Sequence, residues 1–243
     1  METPFKFKQF TIHQNNCAMK VGTDAVLLGA WTTIEQQPFS ILDIGSGTGI
    51  LALMMAQRSN AELIDAIEFD DDAFEQCVDN FEDSPWKDRL YCYHATLEEF
   101  TEEIEDKYDL IICNPPFYTE SYKTKNIPRD FARFEDSMPF THLLKSASIL
   151  LNNNGILSVI IPYKSEKFFI EIALRNNLFP EKILHTKGTP TSEIKRSLIR
   201  FKKTTTKQPL NNEIPTNTLI IETERHQYTQ DYINLTKDFY LKM

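Results

Sequence analysis

The chain has 243 residues, enough by the rule of ~150 residues per domain for one large domain with additions or for two small ones. With 41% apolar and 25% charged residues, no apolar run of membrane-spanning length, no apolar signal core in residues 1–10 (which carry Glu2, Lys6 and Lys8), and four scattered cysteines without a CxxC pair, it reads as a cytoplasmic globular protein. A disordered chain, a membrane span, a secreted disulfide framework and a cysteine zinc site are all excluded. The net charge of −9 is uneven: residues 1–120 hold 7 Lys/Arg against 23 Asp/Glu, and residues 121–243 hold 19 against 12, so that either one part repels polyanions while another attracts them or the charge is simply a solvated surface.

In chain order, short apolar runs predict strands at 39–44 (FSILDI), 63–68 (LIDAIE), 89–94 (RLYCYH), 108–113 (YDLIIC) and 155–161 (GILSVII). Helical patterns lie between them: 50–58 after a glycine turn, 71–81 opening on acids, 142–151 ending at the cluster 152–155 as a C-cap, and 165–176 with Ser165 as N-cap. Strands at 180–187 and 195–203 have only the turn-like TKGTPTS between them and predict an antiparallel hairpin. Residues 204–218 are polar and proline-interrupted and read as a surface loop, followed by an amphipathic tail whose Tyr232, Phe239 and Tyr240 dock on the domain. Alternation of this kind means βαβ units and a mostly parallel sheet.

Two motifs carry chemistry. The first is Asp43-Ile44-Gly45-Ser46-Gly47-Thr48-Gly49, between a strand and a helix. Glycines permit a sharp turn and close approach of a ligand, and the helix start offers free N–H groups. Glu68 ends the next strand, 19 residues after Gly49, where a carboxylate can accept both hydroxyls of an adenosine ribose. The spacing is GxGxG and not the GxGxxG of a nicotinamide site. It suits a ligand without pyrophosphate, such as S-adenosylmethionine (SAM). A dinucleotide site and a merely structural turn are the competing readings.

The second motif is Asn114-Pro115-Pro116-Phe117-Tyr118, directly after the fourth strand. Prolines stiffen the turn and present carbonyls without N–H donors. With the Asn114 side-chain oxygen they can take both hydrogens of one planar amino group and favour its pyramidal form, while Phe117 offers a stacking face for a base. Alone, the motif reads equally as a strand-ending turn with a core aromatic. Cys113 reads as packing, and His94 as either a pocket wall or a structural histidine.

Together these residues resemble the class I SAM-dependent methyltransferases with an NPP[FY] motif, which act on planar amino nitrogens in bases or glutamine side chains. The stretch 17–31 (CAMKVGTDAVLLGAW), the Ser84-Pro85-Trp86 loop and the tail 235–243 (LTKDFYLKM) are similar to signatures of the members that methylate N6 of adenine 37 in bacterial tRNA1(Val). The resemblance implies a Rossmann-like α/β fold: a seven-stranded, mostly parallel sheet with an antiparallel C-terminal hairpin, in one domain at 39–243 behind a cofactor-covering segment at 1–38. It implies SAM as cofactor and an anticodon-loop tRNA partner, with a monomer expected; no metal is expected, since the sulfonium methyl is already activated and the five histidines are dispersed without a ligand-spaced His/Cys/Asp cluster. By the same resemblance Lys20, Gly22, Thr23 and Asp24 cover the methionine end of SAM. Asp43, Gly45, Gly47 and Gly49 form the glycine turn and Glu68 is the ribose acid. Asn114, Pro115 and Phe117 grip and stack the target. Thr96 stands where the family usually has an Asp that contacts the adenine of SAM, which moves that contact to its hydroxyl or to Glu98. Tyr118, Lys123, Lys125, Arg129 and Arg133, with Lys195 and Arg196 on the hairpin, are the candidate RNA contacts; Arg200, Lys202 and Lys203 belong to the same basic run. Two alternatives remain: an N5-glutamine protein methyltransferase, which would need a helical domain ahead of the sheet, and a catalytically silent SAM- or RNA-binding module.

Overall fold

The computed structural model describes residues 3–116, 140–205 and 213–243. Its elements are β1 (Phe5–Lys6), β2 (Thr11–Ile12), α1 (Thr23–Trp31), β3 (Ser40–Ile44), α2 (Ile50–Arg58), β4 (Leu63–Glu68), α3 (Asp71–Glu82), β5 (Leu90–His94), α4 (Leu97–Glu103) and β6 (Tyr108–Cys113). They continue with α5 (Phe140–Leu150), β7 (Leu151–Pro162), α6 (Glu166–Arg175), β8 (Leu178–Lys187), β9 (Ile194–Lys203), β10 (Thr216–Ile220), β11 (Glu222–Glu224), β12 (Gln227–Tyr228) and α7 (Gln230–Thr236). Eight strands make one sheet in the order β10-β8-β9-β7-β6-β3-β4-β5. The five from β7 to β5 are parallel, and β9 runs antiparallel to both β7 and β8. This is the expected mostly parallel sheet with its C-terminal hairpin, enlarged by one strand.

The eighth strand, β10, falls partly in the predicted loop 204–218. It pairs with β8 along one side only and buries only Leu219, so an edge position leaves it polar and hides it from hydropathy. The central strands read clearly for the opposite reason: all five residues of β3 are buried, as parallel strands covered on both faces require. One face is covered by α1, α2 and α7 side chains such as Leu28, Met54 and Tyr232. The other is covered by α4, α5 and α6 through Phe100, Leu144 and Phe169.

Local chemistry sets the boundaries. Asp70 caps α3, its carboxylate accepting from the Ala73 N–H at 3.0 Å, with Asp71 and Asp72 in the first turn. Ser165 precedes α6 without a side-chain cap bond. The cluster at 152–155 is not a C-cap. It lies inside β7, where the register shifts opposite Tyr108 and Leu110 and Asn154 takes φ 67°. A Cβ on Gly155 would stand 3.1 Å from the Tyr108 carbonyl oxygen, so close backbone approach accounts for the glycine. The tail docks as expected: Phe7 bridges Tyr240, the Lys8 N–H donates to the Phe239 carbonyl, and Phe5, Phe7, Phe10 and Tyr240 form a ring cluster.

Candidate active site

Three strands end side by side. Ile44 of β3 is in register with Ile67 of β4 and with Cys113 of β6. Gly45, Glu68 and Asn114 therefore leave the sheet at one level on three neighbouring strands. The chain winds outward from β3 in one direction and returns to β6 on its other side, which makes this the switch point where open α/β sheets hold ligands.

The turn after β3 needs its glycines: Gly45, Gly47 and Gly49 have φ of 70°, 53° and 76°. Gly49 is also enclosed, since a Cβ there would meet Phe81 Cε1 at 2.6 Å and Cys77 Sγ at 2.9 Å. Gly47 faces open space, with nothing within 4 Å of the same point. Glu68, 7% exposed, ties the turn down. One of its oxygens accepts from the Gly47 N–H at 2.8 Å, and the other accepts from the N–H groups of Phe69 at 2.9 Å and Asp70 at 3.1 Å. These bonds engage three of roughly four lone-pair sites on a carboxylate, so the residue first braces the turn and keeps one site for a further donor.

Asp43 is fully buried. One oxygen accepts from the Ala52 N–H at 3.1 Å, and Oδ1 has no partner among the described residues. Burial, with Glu68 nearby, pushes its carboxyl up to about 7. Asn114 repeats the feature at the end of β6, with a buried Oδ1 that has no partner among the described residues. Pro115 is buried beside it and Pro116 is exposed. A buried polar atom without a partner costs about 1–3 kcal/mol, so two of them at neighbouring strand ends mark a site built for partners from outside.

The segment before the sheet lies over this row. The Cys17 thiol is buried and pushed up to about 11, first by burial and then by Glu68, with Lys20 opposing. The Lys20 ammonium donates to the Gln14 carbonyl at 2.6 Å, Gly22 precedes α1, and Thr23 opens it. Asp24 accepts from Arg196 Nε at 2.7 Å; a predicted cofactor residue and a predicted RNA residue thus hold each other. Asn80, which sequence reading missed, locks the arm to the glycine turn. Its amide donates to the carbonyls of His13 at 2.8 Å and Thr48 at 2.9 Å and accepts from the His13 N–H at 2.8 Å. Gln76, one turn earlier, accepts from the Asn15 N–H at 3.2 Å. The available signal was a pair of amides four apart on the buried face of an otherwise acidic helix.

Other candidates take more local roles. The Thr96 hydroxyl caps α4 in a reciprocal box with Glu99, donating to its carboxylate at 2.7 Å and accepting from its N–H at 3.2 Å; the T-x-x-E spacing announces that cap. Cys113 is fully buried, its thiol held protonated by burial, in keeping with packing. His94 stacks on Phe74 and approaches the Asp71 carboxylate at 3.0 Å. The hairpin cations divide by position. Arg196 pairs with Pro162 at the ligand edge and exposed Lys195 adjoins it, whereas Lys202 and Lys203 lie seven or eight residues away, roughly 24–27 Å along the strand. Arg200 is engaged by Glu181 at 3.2 Å, and Lys203 donates to the Leu151 carbonyl at 2.8 Å. Phe117, Tyr118, Lys123, Lys125, Arg129 and Arg133 lie outside the described residues. Among the described residues no His/Cys/Asp/Glu group could hold a metal, and no helix is long and apolar enough to cross a membrane.

Comparison with known proteins agrees with this geometry. The model of the methyltransferase small domain matches residues 20–170. A tRNA1(Val) (adenine(37)-N6)-methyltransferase of Flavobacterium psychrophilum is 61% identical, covering 98% of this chain and 100% of the relative. One of the same description from Parabacteroides distasonis is 40% identical over 98% of each chain. Among solved structures, a protein from Agrobacterium tumefaciens described as a predicted O-methyltransferase superposes with TM-score 0.67 at 19% identity, covering 89% of this chain and 96% of that one. That last likeness concerns the fold alone.

Proposed function

The chain belongs to the methyltransferase small domain family and, within it, to the tRNA1(Val) (adenine(37)-N6)-methyltransferases, and from that membership we propose how its residues transfer a methyl group to N6 of adenine 37 in the anticodon loop of tRNA. The single observation that carries the mechanism is the buried, unsatisfied Oδ1 of Asn114 at the switch point, level with the glycine turn.

The residues present fit SAM: open space above Gly47, an unmatched oxygen on Asp43, a free site on Glu68, and a covering arm pinned by Asn80. Glu68 would take a ribose hydroxyl, and the stretch 20–24 with the glycine turn would hold the aminocarboxylate end. When bound, SAM supplies a methyl group already activated on a positively charged sulfur. The protein's remaining work is alignment and exclusion of water. Asn114 Oδ1 and the Pro115 carbonyl accept the two amino hydrogens of adenine, an arrangement that suits a pyramidal nitrogen better than the planar one and so favours the transition state. The nitrogen then sheds its extra proton to water, since an alkylated aromatic ammonium is strongly acidic and needs no strong base. Anticodon-loop adenines are single-stranded, so presenting one costs less than flipping it from a duplex.

The glutamine-protein alternative is disfavoured by the relatives, which are described as tRNA adenine methyltransferases and match 98% of this chain. Nucleoside mass spectrometry of tRNA treated with the full chain and labelled SAM should place label in N6-methyladenosine. In the same assay Asn114→Ala should lose at least about a hundredfold in kcat, as removal of one transition-state hydrogen-bond partner does, while the SAM Kd stays unchanged. Equal loss of binding and turnover would remove the role given to Asn114.

A further inference from the structure

Beyond the Asn-Pro-Pro turn, the same edge of the sheet carries an aromatic ring with a support behind it. Tyr163 stands where the chain leaves β7, the strand next to β6; Cys113 and Val159 are in register, so Asn114 and Tyr163 emerge at the same edge. Tyr163 is 39% exposed. Its ring meets His185 edge to face, with centroids 5.0 Å apart and planes at 81°. His185 Nε2 lies 2.7 Å from Glu166 Oε2, and the same oxygen accepts from the Ser197 hydroxyl at 2.6 Å. His185 and Glu166 are mostly buried and Ser197 is fully so. Ser197 pairs with Ile161 on one side and His185 on the other, so the support is anchored in three strands and the start of α6.

The charge around this ring differs from that at the other flank. Lys164, Lys167 and Lys195 are exposed near it against one exposed acid, Glu193, while Glu166 is engaged with His185 and Ser197 and Asp24 with Arg196. At the ends of β4 and β5 stand Glu68, Asp70, Asp71, Asp72, Glu98 and Glu99. A phosphate backbone is thus drawn to the Tyr163 side and repelled from the other.

We propose that Tyr163 is a stacking platform for an unpaired nucleobase adjoining the target adenine, held in place by the His185–Glu166–Ser197 support. This assignment rests on the reading of single-stranded RNA as substrate. A buttressed ring loses little freedom on stacking, every base offers it a π-face, and the exposed lysines are placed to meet the phosphates that flank such a base.

The test measures affinity of the full-length protein for unmodified tRNA by filter binding, without SAM and independently of methylation. Tyr163→Ala should weaken RNA binding about tenfold, the usual range for one lost base–aromatic stack. Tyr163→Phe and Tyr163→Trp should bind like the parent. The salt dependence should keep its slope, because no counterion is exchanged at a ring, and SAM affinity should not move. Parental RNA affinity in Tyr163→Ala, or an equal loss in the Phe and Trp variants, would overturn the assignment. RNA binding that depends on the ring while the parent protein forms no N6-methyladenosine would instead overturn the functional reading and leave the platform standing.

Discussion

The two orphan oxygens, on Asp43 and Asn114, have different consequences. Asp43 keeps its proton in the folded chain up to about pH 7, against an ordinary value of 3.8, so between those limits the folded state binds more proton than the unfolded one. The stability from this group is full below about pH 4 and is lost as pH rises towards 7. Asp65, raised to about 6 by burial, acts in the same direction. Asp43→Asn should therefore flatten the fall in urea midpoint across this window, and an unchanged slope would mean the carboxyl ionises normally. The presence of both orphans was legible only as residue types in motifs. That their oxygens are buried and unmatched depends on β3, β4 and β6 ending in register, which no local pattern encodes.

Among elements, the glycine turn separates packing from ligand approach. Gly49→Ala adds a Cβ into Phe81 and Cys77 at a positive φ and should destabilise the fold by about 2–5 kcal/mol, the sum of left-handed strain and overpacking. Gly47→Ala meets nothing, so it should lose only about 1–2 kcal/mol yet bind SAM more weakly. Thermal melts and SAM titrations of the two variants separate these effects. The buried parallel strands were legible because burial writes continuous apolar runs, and α3, α5 and α6 because burial of one face writes a helical period; α2, buried from Ile50 to Ala56, was legible from its place after the glycine turn. Others were not, and three of them show why. Residues Ala25, Val26, Leu27, Leu28, Gly29 and Ala30 of α1 are all buried, which erases the period. Thr96, the cap of α4, drew attention as a cofactor contact by its place in the family resemblance and not as a helix start, and β10 is too exposed to look like a strand.

For the molecule as a whole, the charge asymmetry seen along the sequence becomes an asymmetry across one edge of the sheet, and the strand direction decides which hairpin cations share it. Lys195→Glu should weaken tRNA binding and lower the salt slope by about 1. Lys202→Glu, at the far end of the same strand, should leave both unchanged; equal effects would show that the RNA covers the whole hairpin. The acidic flank has a second effect. The donor enters as an onium cation and leaves as an uncharged thioether, so carboxylates clustered near the ends of β4 and β5 attract the fresh molecule and have no such hold on the spent one. The field that fends off nucleic acid also biases exchange at the end of each cycle, and added electrolyte, by screening it, should favour retention of the by-product.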